Sequence, residues 1–451
     1  SNSSKIWINL NKRLYLFKIT FISTLEVPKK RYSKVIEQRQ GLMESIREKF
    51  MHVDTCPFEG ERIFFENAGG SLRLKSVVET SALYASYPDN QGRENEASKA
   101  LVRSIENGKD KMRLFFNADR GDVIVGESGT ELLFRLIRTA ALELPRGGAM
   151  LSSTLEHPAS MSAMKKWAKN TQRNHIIVEH DDGLGTVDEK AYLKKLTSDV
   201  RVVSVVHTSP VTGMTVDLEK ITREVRNVTP ECIIIVDGIQ HSSHGAIDVK
   251  KYDIDGYVVS PYKMFSRHGY GVAWASDRLC ALGKEQLVGG PSQNWELGTR
   301  DAGSYATFSD VVDYLDWLGS NFTNSKSARE RLEASSIAIK SHEQELVNLV
   351  LHGSEKLVGL IKNEKIRIIG DLASTSREGV VSFYLKNNPS SLIVEKLRKR
   401  KIRVHIRKDD HYCGNILGPL NQKDCIRFSI CHYNSKAEVI EFLKAINEIS
   451  A

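Results

Sequence analysis

The sequence has 451 residues, of which 41% are hydrophobic and 27% charged, a balance typical of a soluble globular protein with two or three domains. Its formal net charge of +8 could favour an anionic cofactor, acidic substrates or nucleic acid. Basic residues are mostly interleaved with acidic ones, as in RNHIIVEHDD at 173–182, so we expect no nucleic-acid partner.

The first 42 residues begin without Met and contain an apolar stretch that Lys12, Arg13 and Lys18 interrupt. This stretch is too broken for a membrane span and poor for a signal peptide, so we expect no membrane association. We interpret the first few residues as an addition from cloning, and Met43 is a plausible alternative start. We expect residues 1–60 to be an N-terminal extension that is partly peripheral.

The cysteines lie far apart and form no C-x-x-C pair, so the sequence lacks the usual spacing of a zinc site, and we expect no metal. A chain of this length does not need disulfides to be stable, so we expect reduced thiols and a cytoplasmic location. The six cysteines are Cys56, Cys232, Cys280, Cys413, Cys425 and Cys431.

From about residue 62, short apolar runs alternate with stretches of helical spacing. Continuous apolar strands between helices predict an α/β fold with a mostly parallel seven-stranded sheet that helices cover on both faces. We place this sheet in a large domain, residues 61–320, and a smaller α+β C-terminal domain at residues 321–451. The runs are DVIVG (122–126), AMLSS (149–153), HIIVE (175–179), VRVVSVV (200–206), CIIIVD (232–237), GYVVS (256–260) and GVAWA (271–275).

The C-terminal part reads as further strands IRIIG, GVVSFYL, IRVHI and CIRFSI, with a helix SLIVEKLRKR between the second and third and a final amphipathic helix.

Polar residues follow five of the seven apolar runs. In parallel sheets, ligands bind outside the carboxyl ends of the strands, so these residues predict one shared site. They are Ser128-Gly129-Thr130, Glu156-His157, His207-Thr208-Ser209, Asp237, and Ser260 to Lys263.

Lys263 and Asp237 suggest the chemistry of that site. Burial after a strand lowers the pKa of a lysine and frees its amine to form an imine, although most such lysines are simply at the surface. Asp237 ends a buried strand, where a carboxylate is costly unless it meets a cation. The protonated ring nitrogen of pyridoxal 5′-phosphate (PLP) is such a cation, and Gln240 could donate to its ring oxygen. The alternative for Asp237 is a helix N-cap.

Other residues could complete a PLP site. Backbone N–H groups at Gly129 and Thr130 precede a helix and could bind the phosphate, with Ser260 adding a contact. His157 could stack on the ring. Taken alone, each has a simpler reading: Gly-Thr is a common helix start, and a lone histidine is more often structural.

Together these segments resemble the fold-type I PLP enzymes of aminotransferase class V, nearest the cysteine desulfurase and selenocysteine lyase branch. The resemblance covers about residues 60–450, with the motifs in matching order. It implies Lys263 as the Schiff-base lysine, with Asp237, Gln240, Ser260 and Tyr262 around the cofactor. The segments are FFENAGGS (64–71), SGTELLF (128–134), EHPAS (156–160), VDGIQHSSHGAIDVKKYDIDGYVVSPYKMFSRHGYGVAW (236–274), WELGTRD (295–301) and CIRFSICHYNSKAEVIEFL (425–443).

The resemblance also assigns residues to the substrate and to a second subunit. It implies that Arg427 grips the substrate carboxylate, and a planar guanidinium suits that task unaided. The simpler reading of Arg427 is a salt bridge at the rim of a site. Asn67 lies in the segment similar to the substrate loop. Thr299 lies in the loop that reaches the phosphate of the neighbouring subunit, which implies a homodimer.

Three positions depart from the desulfurase pattern. Tyr262 stands where desulfurases carry His and kynureninase-like relatives carry Tyr. Pro210 stands where an Asn would contact the ring, and proline has no N–H to donate. Cys413 lies near the loop of the sulfur-accepting cysteine but one residue out of register with Arg427. A loop cysteine without a special role is the alternative to a catalytic sulfur acceptor.

We therefore expect a PLP enzyme that acts at the α-carbon of an amino acid by cysteine desulfurase-like or selenocysteine lyase-like C–S or C–Se cleavage. A class V aminotransferase, or a kynureninase- or epimerase-like enzyme, is the alternative in the same fold. A non-catalytic protein of this fold that acts as a binding partner is the alternative from another class.

Overall fold

The described residues of the computed structural model are 36–291, 295–372 and 375–451, and Ile36–Ala451 form one unit. The interpretation of residues 1–35 lies outside the described residues. Every helix in this described part is too short or too polar to cross a lipid bilayer.

The helices and strands are numbered here in chain order. The helices are α1 (Leu42–Glu48), α2 (Lys75–Ala85), α3 (Glu96–Phe116), α4 (Gly129–Glu143), α5 (Pro158–Asn170), α6 (Glu189–Leu193), α7 (Leu218–Val228), α8 (Val249–Tyr252), α9 (Asp277–Cys280), α10 (Ala302–Ser320), α11 (Ala328–His352), α12 (Ser390–Lys399), α13 (Gly414–Leu417) and α14 (Lys436–Ser450). The strands are β1 (Thr55–Cys56), β2 (Gly60–Glu61), β3 (Ile63–Phe64), β4 (Asp122–Gly126), β5 (Ala149–Ser153), β6 (Asn174–Val178), β7 (Val200–Val206), β8 (Ile233–Asp237), β9 (Gly256–Val259), β10 (Gly271–Ala275), β11 (Gly353–Ser354), β12 (Leu357–Val358), β13 (Ile366–Ile368), β14 (Val380–Leu385), β15 (Ile402–Arg403), β16 (His405–Lys408) and β17 (Asp424–Ser429).

Seven strands form the large sheet in the order β4-β10-β9-β8-β7-β5-β6. Strand β10 is antiparallel to both of its neighbours, and the pairs from β9 to β6 are parallel. The predicted α/β fold with a mostly parallel seven-stranded sheet is confirmed.

Helices cover both faces of this sheet, which explains why its strands are apolar throughout. Along β8, Ile233 and Ile235 pack into one buried cluster with residues of α4 and α5. Ile234 and Val236 point the other way and pack into a second cluster with residues of α3 and α10. Because successive side chains of a strand face opposite sides, a strand that is buried on both faces cannot alternate polar and apolar residues.

A second, four-stranded antiparallel sheet has the order β13-β14-β17-β16. Its core includes Phe428 from β17, Leu397 from α12 and Phe442 from α14. Helix α11 contributes Ile339 to a cluster of the large sheet and Val350 to this one. One helix thus packs in both cores, and the domain boundaries at residues 60 and 320 stay predictions.

The segment IRVHI was expected to form one strand, and the structure divides it. Ile402 pairs in parallel with Ile63 of β3, whereas His405 begins β16 and pairs with β17. Val404, between the two strands, is buried. Because it is divided, this segment pairs with β3 (residues 63–64) and also forms the edge strand of the second sheet.

Part of the segment expected to be peripheral belongs to the core. Ile36 and Ile46 are fully buried, and Phe50 is 2% exposed. The Phe50 ring lies 4.6 Å from the Tyr433 ring and 5.6 Å from the Phe265 ring, measured between centroids. Residues 36–50 therefore contribute buried side chains to the core, and how much of the N-terminal extension is peripheral stays a prediction.

Replacing Phe50 with alanine is expected to lower the free energy of unfolding by about 3–5 kcal/mol, because the change removes a buried ring and leaves a cavity. The control is Phe58→Ala, since Phe58 is 95% exposed, and we expect a change within about 0.5 kcal/mol. Urea denaturation measures both variants. Equal midpoints for the two variants would show that the packing of residues 36–50 is not needed for stability.

Candidate active site

The polar residues at the strand ends meet at one edge of the large sheet. Asp237 is the last residue of β8, and Lys263 ends a single 3₁₀ turn directly after β9. His157 caps α5 after β5, and Ser128 caps α4 after β4. Parallel strands bring their carboxyl ends to the same edge, so the predicted clustering follows from the topology.

Lys263 is half-buried, and its Nζ lies 3.4 Å from Oε1 of Gln240. Burial lowers the pKa of this amine to about 7, and the positive charge of Arg427 adds to the effect while Asp237 opposes it. Much of the amine is therefore neutral near pH 7, which is the form that attacks a carbonyl carbon.

The Asp237 carboxylate is buried, at 3% exposure. Its Oδ1 accepts the backbone N–H of Ile239 at 3.1 Å, and its Oδ2 accepts the Ser160 hydroxyl at 3.4 Å. Burial raises its pKa, and the Ile239 N–H and the Lys263 charge oppose the rise. None of the ion pairs formed among the described residues involves Asp237. A buried carboxylate without an ion-pair partner suits the protonated ring nitrogen of a cofactor.

The N-terminus of α4 fits a phosphate. Ser128 Oγ accepts the Glu131 N–H at 3.1 Å, which leaves the first N–H groups of the helix at the strand edge. A Cβ on Gly129 would lie 2.4 Å from Ser260 Oγ and 2.7 Å from Ile239 Cδ1. Because Gly129 has no side chain, Ser260, the segment after β8 and the first turn of α4 can lie close together. Thr130 is exposed at the same helix start.

His157 is a neutral ring at this edge. Its Nδ1 accepts the Ala159 N–H at 3.1 Å, so the proton of the neutral ring resides on Nε2. Burial, together with the charges of Lys263, Arg407 and Arg427, lowers the pKa of His157 to about 3.

The preceding Glu156 has a structural role. It accepts the Val206 N–H at 2.8 Å, and burial beside Asp237 raises its pKa to about 8.

Gln240 connects Lys263 to a buried ion-pair cluster that the sequence did not indicate. Its Nε2 lies 3.4 Å from Nε2 of His244, whose Nδ1 lies 2.7 Å from Oε2 of Glu343. Burial alone would lower the pKa of His244, but the Glu343 carboxylate outweighs burial and raises it to about 9. Glu343 lies on α11, 103 positions after Gln240 in the sequence, so no local pattern could have paired them.

Arg427 reaches the site from β17 of the second sheet and is 3% exposed. Its Nη1 donates to the carbonyl of Pro210 at 3.0 Å, and its Nε is buried without a hydrogen-bond partner. Gly69 lies against Nη2, since a Cβ there would be 3.4 Å away. Burial lowers the pKa of Arg427 to about 10, and the charge of Arg407 adds to the shift. Among the described residues Arg427 forms no salt bridge, so its simpler reading as a rim salt bridge has no support there.

The Asn67 side chain is engaged by protein groups. Its amide nitrogen donates to Ser429 O at 2.9 Å, and its oxygen accepts the Tyr433 hydroxyl. Asn67 thus holds the turn that contacts Arg427, and substrate binding by its side chain stays a prediction.

Tyr262 and Thr299 make other contacts. The Tyr262 ring stacks on His268 with centroids 4.5 Å apart, and Gly70 packs against it. Thr299 is exposed. Its neighbour Arg300 pairs with Glu127, which precedes the start of α4. The cofactor and subunit roles of Tyr262 and Thr299 stay predictions.

Cys413 is fully buried at the start of α13, and its Sγ lies 2.7 Å from Nε of Arg407. Burial raises the pKa of the thiol, although Arg407 and Arg427 oppose the rise. A reactive cysteine needs an accessible thiolate, and Cys413 has neither property in this conformation.

The sequence reasoning also missed Arg407. Its signal was present in RVHIRK, where Arg403, His405 and Arg407 alternate with apolar residues. His405 pairs directly with Arg427 across β16 and β17, so the polar face of this segment is the face that carries Arg427.

The family model for aminotransferase class-V matches residues 63–442 of this sequence. The chain belongs to the class V aminotransferase family. It is therefore a PLP-dependent enzyme, and the class V resemblance, fold type and cofactor predicted from the sequence are confirmed.

Similar proteins agree with this class V assignment. The cysteine desulfurase-like protein ustD of Aspergillus flavus is 29% identical over 416 residues, 86% of this chain and 88% of the relative. The aminotransferase-like protein FGM3 of Gibberella zeae is 25% identical over 90% of this chain and 98% of the relative. The fold is that of an apo cysteine desulfurase from Thermococcus onnurineus NA1, with a TM-score of 0.76 at 21% identity over 90% of this chain and 98% of the other.

The pKa of Lys263 gives a pH prediction for loading apo-enzyme with PLP. Because only the neutral amine reacts, the rate is expected to rise about tenfold per pH unit below pH 7 and to level off above it. The absorbance of the cofactor after rapid mixing measures this rate. A free lysine side chain, with a pKa of about 10.4, serves as the control and continues to gain rate through pH 9. The same behaviour in the enzyme would contradict the lowered pKa.

Proposed function

We propose that Lys263 binds PLP covalently as a Schiff base and that the enzyme cleaves the C–S or C–Se bond of a cysteine- or selenocysteine-type amino acid. The observation that carries the proposal is the combination of a half-buried amine of lowered pKa with a buried carboxylate that has no ion-pair partner among the described residues. Asp237 would face the ring nitrogen, and the start of α4 with Gly129, Thr130 and Ser260 would hold the phosphate.

Bound PLP withdraws electrons from the substrate Cα and so makes the Cα–H bond acidic. Each protein group then has a defined task. The neutral Lys263 amine can accept the Cα proton and return it, because its pKa lies near physiological pH. Asp237 supplies negative charge to the ring nitrogen. Arg427 donates two parallel N–H groups to the α-carboxylate, which fixes the orientation of the substrate. His157 offers an uncharged ring and an Nε2–H donor beside these groups.

We also propose a homodimer in which Thr299 contacts the phosphate of the neighbouring subunit. The exposure of Thr299, and the ion pair between Arg300 and Glu127 near the start of α4, support a surface loop close to a phosphate site. A reducing, cytoplasmic compartment fits the six cysteines, which all lie within the described residues and carry free thiols.

A second candidate is an aminotransferase, or a kynureninase- or epimerase-like enzyme, in the same site. The buried thiol of Cys413, with its raised pKa, favours keeping this candidate, because transfer of sulfur to an enzyme cysteine requires an accessible thiolate. The carbonyl of Pro210 binds Arg427, so this departure from the desulfurase pattern lies at the substrate arginine.

With a thiol reductant present, which accepts the sulfur and supplies two electrons, purified enzyme should convert cysteine to alanine and sulfide, or selenocysteine to alanine and selenide. An S-substituted cysteine should instead release its substituted thiol together with pyruvate and ammonia. We expect Lys263→Ala to lose at least about 100-fold in rate, since a positioned base alone contributes that much. Lys401→Ala is the control, because Lys401 is an exposed lysine paired with Glu61. Formation of keto acids or inverted amino acids without any of these products would reject C–S cleavage and support the second candidate.

A further inference from the structure

A pocket of about 500 Å³ opens beside Arg427, and its wall is strongly cationic. It is bordered on one side by the turn of Gly69 and Gly70 and on the other by β16. The charged side chains and histidines that line it are Glu66, Arg73, His268, Arg403, His405, Arg407 and Arg427. One carboxylate thus faces four arginines in this wall.

The one carboxylate of this wall, that of Glu66, already has positively charged partners in the protein. Glu66 pairs with Arg403, and its Oε1 lies 3.3 Å from Nδ1 of His405. These two partners outweigh burial and hold the pKa of Glu66 below its usual value. The charge of Glu66 is therefore balanced by Arg403 and His405. It does not balance the charges of the other three arginines of the wall.

Those three arginines hydrogen-bond to neutral acceptors within the described part of the chain. Arg73 donates to the Tyr262 carbonyl at 3.3 Å, and its Nη2 lies 3.0 Å from His268 Nδ1. Arg407 contacts the protonated thiol of Cys413, and Arg427 contacts the Pro210 carbonyl. None of the three forms an ion pair among the described residues.

Arg407 and Arg427 lie close to each other and to Lys263. Residues 405 and 407 share one face of β16, and His405 is directly opposite Arg427 on β17. The charges of both arginines lower the pKa of Lys263, which shows that both lie near the reacting amine. Like charges this close repel each other unless anions lie between them. One α-carboxylate satisfies Arg427 and leaves the charge of Arg407 and Arg73 unmatched.

We propose that the substrate carries a second anionic group at the end of its side chain, a carboxylate or comparable oxyacid, and that Arg407 and Arg73 bind it while Arg427 binds the α-carboxylate. Arg427 lies in the wall of this pocket, and its buried Nε has no hydrogen-bond partner among the described residues. For C–S cleavage, the substrate is then a cysteine with an acidic substituent on sulfur. This inference rests on the proposed binding of an amino acid beside PLP, but not on which bond is cleaved.

The test compares acids with their neutral amides on the PLP-loaded enzyme. The probes are aspartate against asparagine, and S-carboxymethylcysteine against S-carbamoylmethylcysteine, with dissociation constants taken from the change in cofactor absorbance. In each pair we expect the acid to bind at least about tenfold more tightly, because hydrogen bonds between charged groups are the stronger ones.

Three variants locate the preference. Arg407→Gln should lower the acid-to-amide ratio severalfold, because only Arg73 then remains to bind the second anionic group, and it should weaken binding of the acid much more than binding of the amide. Arg407→Lys keeps the charge and should keep most of the preference. Arg400→Gln is the control, since Arg400 pairs with Glu448 at the surface.

Equal binding of acid and amide, or equal weakening of both by Arg407→Gln, would overturn this inference and leave the proposed function intact. If none of the four amino acids changed the cofactor absorbance although cysteine did, this inference would fail and the proposed function would stand. If cysteine also left the absorbance unchanged, both would fail.

Discussion

The Asp237 carboxylate is buried at the end of a strand whose other side chains are all apolar, and this one charge constrains the rest of the site. Moving a carboxylate out of water costs several kcal/mol even after the protein relaxes, so it must meet positive charge or take up a proton. The Lys263 amine carries at most part of a charge near pH 7, because burial and Arg427 weaken its hold on a proton. In the proposed function, the protonated ring nitrogen of PLP would supply this positive charge.

The two sheets supply different residues to the site. The large sheet brings the proposed cofactor groups to the carboxyl ends of β4, β5, β8 and β9. The second sheet supplies Arg427 and Arg407 from neighbouring antiparallel strands, and Arg427 contacts the large-sheet side at the Pro210 carbonyl. In the proposed function, the residues for substrate recognition and for cofactor binding therefore come from different sheets of one unit.

The sequence predicted features that depend on short-range patterns. Continuous apolar runs gave the strands of the large sheet, and the topology of parallel strands then placed Asp237 and Lys263 at one edge. Contacts between residues that are far apart in the sequence could not be predicted, as with His244 and Glu343. The reactivity of Cys413 was also beyond the sequence, because it depends on burial, which only the packed loop determines.

The central claim is that the amine of Lys263 forms a covalent bond with the cofactor. Reduction of the PLP-loaded enzyme with borohydride, followed by digestion and mass spectrometry, tests it directly. The account predicts one phosphopyridoxyl group on the peptide that contains Lys263. Labelling of another lysine, or no label on a protein that had bound the coenzyme, would contradict it.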